Sequence, residues 1–167
     1  MHKQLICIAV LSSSIMQASL ATEASAIIKI PRLTLETAQK IAQAALIKCR
    51  EGANQVSISI VDRGGHPMTI LRDTLAPDVT LELSRQKAYT AMSFNAATST
   101  LENRFTQPFT VGKIQGLIFY AGGVPIEAAG NIVGGIGVSG APTGTEDEKC
   151  ANAGVQAVLF DLESATP

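Results

Sequence analysis

Over residues 55–62 apolar and polar side chains alternate, with Val56, Ile58 and Ile60 to one face and Ser57 and Ser59 to the other. That period is a strand's. Arg63-Gly64-Gly65-His66 reads as a turn, and residues 68–72 return as a second strand. Upstream the period is helical: Ala38, Ile41, Ala42, Ala45 and Cys49 share one stripe, Thr34 can cap the helix, Glu36 sits near its positive end, and Gly52 stops it. Leu75-Ala76-Pro77-Asp78 breaks the chain, and Asp78 is expected to cap a helix over about 79–94. A short helix is expected after Thr98 or Ser99, residues 107–116 read as a loop or lid, and 117–120 as a strand. A second hairpin follows, 124–128 and 131–138, turning at Ala129-Gly130-Asn131. Thr145 with Glu148 reads as a capping box opening a last helix over about 146–161, with Cys150, Ala153, Ala157 and Phe160 as its inner stripe.

The order α-β-β-α-(α)-β-β-β-α predicts a single domain of α/β (α+β) class, a five-stranded antiparallel sheet with helices on its faces. Glycine weakens a strand, so Gly134, Gly135 and Gly137 within the last run mark a place where another backbone or a ligand comes close.

Composition narrows the function. Aromatic residues make up 4% of the 167-residue chain, Trp is absent, and the net charge is -1. No stacking surface or basic run for a nucleic acid is present. Met1-His2-Lys3-Gln4, the apolar run 5–16 and the small residues Ser19 and Ala21 have the layout of a secretory signal peptide over 1–21, leaving 22–167 as the domain. The apolar run is too short to span a bilayer, and no Cys follows the cut to carry a lipid, so no stable membrane anchor is expected. The expected location is periplasmic or secreted. Cys7 leaves with the signal, and Cys49 and Cys150 remain, either as two buried thiols or as a disulfide. If the first and last helices pack side by side on one sheet face, the two sulfurs meet.

Gly135-Ile136-Gly137-Val138-Ser139-Gly140 has the spacing of a dinucleotide fingerprint. That chemistry needs a helix N-terminus directly after the turn, and here the glycines lie within a strand. Ser139 lacks the second Gly of a nucleophile elbow. No catalytic residue is assigned, and a metal site of protein ligands alone finds no His pair and no CxxC. His66, in its turn, is either a single axial ligand to a haem or a solvated turn residue. Arg85, Lys87 and Tyr89 share the second helix, where the two cations either hold a carboxylate or propionate or form a solvated face.

Val56-Ser57-Ile58-Ser59-Ile60-Val61-Asp62-Arg63-Gly64-Gly65-His66 resembles the first hairpin of the GlcG/HbpS-like haem-binding family, which includes the C-terminal domain of PduO-type proteins. Arg85-Gln86-Lys87-Ala88-Tyr89-Thr90-Ala91 resembles its central helix, and Gly122-Gly123-Val124-Pro125-Ile126, Gly134-Gly135-Ile136-Gly137-Val138-Ser139-Gly140-Ala141 and Asp147-Glu148-Lys149-Cys150-Ala151-Asn152-Ala153-Gly154 its later signatures. The resemblance covers about residues 34–160; residues 98–116 follow it least. It implies a profilin- or roadblock-like sandwich, usually a homo-oligomer, in a family of which some members bind haem through differing iron contacts; haem or a related tetrapyrrole is the expected ligand, and the residues' own chemistry makes His66, Arg85, Lys87 and Tyr89 the candidate contacts. Some members sit beside glycolate or diol catabolism, so an enzyme or accessory acting on a small carboxylate is the alternative.

Overall fold

In a computed structural model, residues 26–107 and 110–165 are described; the expected signal peptide, with Cys7, lies outside them. The elements are α1 (Leu35–Glu51), β1 (Ser57–Asp62), β2 (Pro67–Arg72), α2 (Val79–Phe94), two short 3-10 turns (Thr98–Leu101 and Val111–Lys113), β3 (Gly123–Ala128), β4 (Asn131–Ser139), α3 (Gly144–Gln156) and α4 (Leu159–Ser164). The strands form one antiparallel sheet in the order β2-β1-β4-β3. On one face α1 and α3 bury Ile41, Ala42, Ala45, Ile58, Ile60, Ile136 and Val138. On the other lies α2.

The sheet therefore has four strands, not the five expected. Residues 117–120 are apolar enough for a strand but have no ladder to join. The Ile118 N–H donates to Thr90 Oγ1 at 3.0 Å, and the Phe119 ring packs against Phe94 and Phe105 at centroid distances of 5.5 and 4.9 Å. Side-chain contacts with α2 have taken the place of strand pairing.

The glycines of β4 act as expected. A Cβ on Gly135 would collide with the Ala88 carbonyl, and one on Gly137 with the Ser84 carbonyl. Without them α2 could not lie so close. That approach explains why the serine face of β1 is buried too: Ser57 Oγ meets Thr80 Oγ1 at 2.7 Å and Ser59 Oγ meets Ser84 Oγ at 2.8 Å, so each buried hydroxyl has a partner. The β3–β4 turn has Ala129 and Gly130 both at positive φ (46° and 75°), the geometry of a two-residue hairpin turn.

Three helix ends differ from expectation. Asp78 stands at the N-cap of α2 in helical geometry (φ -57°, ψ -34°) without a capping bond, and its exposed carboxylate pairs with Arg72 at 2.8 Å. Helix α3 is capped by Thr143, whose Oγ1 accepts from Glu146 N at 3.2 Å, and not by Thr145. Asp147 and Glu148 point into the fold. The last helix also breaks after Gln156, and α4 starts at Leu159. The break turns Val158 and Leu162 into the core and leaves Phe160 80% exposed, with Ala157 also at the surface, so the inner stripe is Cys150, Ala151, Gly154 and Val155. The α1 stripe and the packing of α1 on α3 hold, and Cys49 and Cys150 are joined as a disulfide with Cα atoms 5.4 Å apart.

Candidate functional site

Helix α2 has two working faces. Toward the sheet it buries Thr80, Ser84, Lys87, Ala88 and Ala91. Away from it, Glu82, Arg85, Gln86 and Tyr89 fall at i, i+3, i+4 and i+7 and share one stripe. With Gly65, Gln115 and Gly116 this stripe lines a cleft of about 430 Å³. Arg85 donates Nε to Glu82 Oε2 at 3.0 Å and Nη2 to Oε1 at 2.6 Å, and Gln86 Nε2 donates to the same Oε1 at 2.8 Å. The Arg85 guanidinium holds the Glu82 carboxyl below its ordinary range, and Glu82 raises Arg85 in return. The Tyr89 ring lies over Gly65, whose φ of +81° and bare Cα admit it; a Cβ there would sit 2.5 Å from the ring.

The turn beyond β1 presents His66. Asp62 Oδ1 accepts from Gly64 N at 2.8 Å and from His66 N at 2.9 Å, and lies 3.4 Å from His66 Nδ1. Burial pushes the Asp62 carboxyl up, but the backbone amides of His66 and Gly64, with the His66 ring, outweigh it and hold the group below its ordinary value. The imidazole is 81% exposed. A carboxylate at Nδ1 favours the Nδ1–H tautomer and leaves Nε2 as a free electron pair, the arrangement that orients a metal-ligating histidine.

Lys87 is elsewhere. Its ammonium is buried between α2 and α3, donating to Asp147 Oδ2 at 2.8 Å and to Val138 O at 3.0 Å. It is neither an anion holder in the cleft nor part of a solvated face. Asp147 Oδ1 accepts from Ala141 N at 2.9 Å; burial pushes the Asp147 carboxyl up, Lys87 opposing it. The structure thus brings Arg85 and Tyr89 to one cleft, sets His66 beside Gly65 at its edge, and takes Lys87 away.

Sequence reasoning passed over Glu82, Gln86, Gln115 and Gly116. The helical spacing of Glu82, Arg85, Gln86 and Tyr89 was a legible signal. Gln115 and Gly116 were not, since only tertiary packing brings that segment to α2. Directly after it, Leu117, Ile118, Phe119 and Tyr120 with Leu101 and Phe105 line an aromatic recess of about 320 Å³. A polar cleft and a recess that mixes aromatic side chains with Asn103 and Thr106 therefore flank residues 115–118. Among the described residues no cluster of three or more His, Cys, Asp or Glu could hold a bare metal ion, and no helix is long and apolar enough to cross a membrane.

A free imidazole nitrogen, a guanidinium and an adjoining aromatic recess make a donor set that fits an amphipathic, iron-bearing macrocycle. The comparisons point the same way. Residues 33–156 match the family described as haem degrading protein HbpS-like. HbpS of Streptomyces reticuli, solved as a double mutant, is 40% identical and superposes with a TM-score of 0.76 over 84% of this chain and 97% of its own. PduOC, solved in complex with haem, is 27% identical with a TM-score of 0.69 over 76% of this chain and 95% of its own. An uncharacterized 15.0 kDa protein of Citrobacter freundii, from the dhaT-dhaS intergenic region, is 31% identical over 118 residues, covering 67% of this chain and 82% of that protein.

Proposed function

The chain belongs to the HbpS-like family of haem-degrading proteins, and on that premise we propose that it binds haem or a related tetrapyrrole at the cleft beside α2. The observation that carries the reading is the family match over residues 33–156, supported by likeness to a relative solved with haem bound. His66, whose ring lies 3.4 Å from Asp62, would supply a nitrogen to the iron. Arg85 and Gln86 are the donors within reach of a carboxylate, and Tyr89 walls the cleft. When bound, haem would supply iron-centred ligand and electron chemistry; the cleft residues supply binding, orientation and charge. The alternative, an anchor for a small carboxylate metabolite, would draw on the same Arg85, whose Nε and Nη2 already donate to Glu82; the family match over residues 33–156 favours the tetrapyrrole.

Export belongs to the same proposal. It rests on the signal-like layout of residues 1–21 and on the bridge between Cys49 and Cys150, a kind of bond kept in oxidising compartments. N-terminal sequencing of the purified protein should begin near Thr22, or near Ile27 if cleavage follows Ala26; a retained Met1 refutes export.

Titration with hemin tests the ligand and the site separately. A Soret band that shifts on addition of protein is expected, weakened in Arg85→Ala and displaced in wavelength in His66→Ala. Asp62→Asn should give an intermediate spectrum, because the ring loses its anionic partner. No complex at all with the wild-type protein refutes haem binding. A spectrum identical in His66→Ala and wild type refutes the axial assignment and leaves the ligand in place.

A further inference from the structure

Glu82 is bound unlike the carboxylates that hold the fold together. Asp73 accepts from Arg50, Asp147 from Lys87 and the Ala141 amide, and Glu148 from Ser99 and the Gly122 amide, so each ties two separate segments. Among the described residues the Glu82 carboxylate accepts only from its own helix: from Arg85 Nε at 3.0 Å, Arg85 Nη2 at 2.6 Å and Gln86 Nε2 at 2.8 Å. Its side chain is 54% exposed and lies on the wall of the cleft. Releasing it breaks no hydrogen bond between elements.

Those three donors form a seat for a carboxylate. The Nε and Nη2 of a guanidinium present two N–H groups side by side to two oxygens, and the Gln86 amide adds a third donor. The occupant is the chain's own side chain. Hydrogen bonds from Arg85 hold its carboxyl below the ordinary range, so it is an anion at neutral pH. It can leave at low cost, because an exposed pair at this helical spacing contributes little to folding. Glu82 also stands in the first turn of α2, where the helix N-terminus favours a negative charge with or without Arg85.

We propose that Glu82 is a specificity-determining residue of the cleft: it competes with the ligand's own carboxylate for Arg85 and Gln86. The inference rests on the cleft's being the ligand site, as proposed above. An acid that enters trades one carboxylate for another on Arg85 and gains little by it. Lodging beside Glu82 is no better, since two carboxylates on one guanidinium repel each other. A small acid has nothing else to offer. A tetrapyrrole carries its carboxylates on a large apolar body, and burying that body adds a gain the exchange does not cancel. Glu82 thus discounts the carboxylate and leaves the body to decide. A residue that merely oriented Arg85 would have the opposite sign, because its removal would weaken binding.

Soret titrations with hemin and with its dimethyl ester, whose carboxylates are esterified, test this on the full chain. In Glu82→Gln and in Glu82→Ala the dissociation constant for hemin should fall at least fivefold, with that for the ester within twofold of wild type and the circular dichroism spectrum unchanged. The preference for hemin over the ester therefore rises in both variants. In an Arg85→Ala background the gain from Glu82→Gln should shrink below twofold. A hemin constant unchanged or raised in both Glu82 variants overturns the competition and leaves the haem reading in place. So does an equal gain with the ester, or one that persists undiminished in Arg85→Ala, since either reflects charge at large and not a shared seat. Hemin that binds neither the wild type nor the Glu82 variants overturns this inference together with the reading it rests on.

Discussion

Replacing Lys87 by Met isolates the buried pair that ties α2 to α3. In the wild type the ammonium and the Asp147 carboxylate are 6% and 4% exposed and 2.8 Å apart. Breaking such a pair by removing one partner costs about 3–5 kcal/mol, because an uncompensated charge stays in the interior. The lower end applies here. Asp147 keeps the Ala141 amide at 2.9 Å, and burial already pushes its carboxyl up, so it can escape the penalty by taking a proton. The sign follows from that. A carboxyl raised on folding contributes stability that is present at low pH and lost as pH rises through its folded value. Without Lys87 the rise is larger, so the deficit of Lys87→Met relative to wild type should grow with pH. One proton gives at most about 1.36 kcal/mol per pH unit, so the deficit should shrink on going from pH 7 to pH 5, by no more than about 2.7 kcal/mol. Urea unfolding at pH 5, 6 and 7 measures it. The double variant Lys87→Met/Asp147→Leu should recover most of the loss, since an apolar pair of similar volume leaves no stranded charge. A deficit under about 1 kcal/mol at pH 7, or one that does not change with pH, would show that the pair is not desolvated as its burial implies.

Gly137→Ala should cost about 1–3 kcal/mol or more, because the new Cβ meets the Ser84 carbonyl and the Ala88 amide, which are backbone and cannot swing aside. Gly64→Ala meets the exposed His66 ring and should stay within about 0.5 kcal/mol; equal melting temperatures for the two variants would refute the close approach of α2. Removing the disulfide as Cys49→Ala/Cys150→Ala opens a loop spanning 101 residues and should lower stability by up to about 4–5 kcal/mol in the chain-entropy estimate. Mass measurement after alkylation without reductant should find neither thiol reactive, and two labelled cysteines refute the bridge. Asp73, held below its ordinary value by hydrogen bonds from Arg50, contributes stability that is present at neutral pH and lost as pH falls through its folded value. Asp73→Asn should therefore flatten the acid limb of the stability curve and leave no added loss below it; an unchanged acid limb refutes that contribution.

Local rules sufficed where a residue's partners lie within its own element. The alternation of Val56 to Ile60, the stripe from Ala38 to Cys49, the cap at Thr34 and the positive-φ turn at Ala129-Gly130 depend on backbone period and neighbouring atoms, and each stands in the structure. The glycines of β4 were legible as a close approach, because a strand that forgoes side chains has a packing reason. The bridge between Cys49 and Cys150 could be entertained from two inner stripes, but only the packing of α1 on α3 brought the sulfurs together. Partners across the fold decided the rest. Residues 117–120 have strand composition, yet Thr90 and the Phe94 ring claim them. Thr143 won the cap of α3 from Thr145 once Asp147 was drawn inward by Lys87. Arg85 and Lys87 look alike in sequence and are two residues apart. That spacing turns one toward the cleft and the other into the core, where Asp147 compensates its charge. Charge is a property of the residue, but what it does is set by the face of the helix it stands on and by what waits across from it.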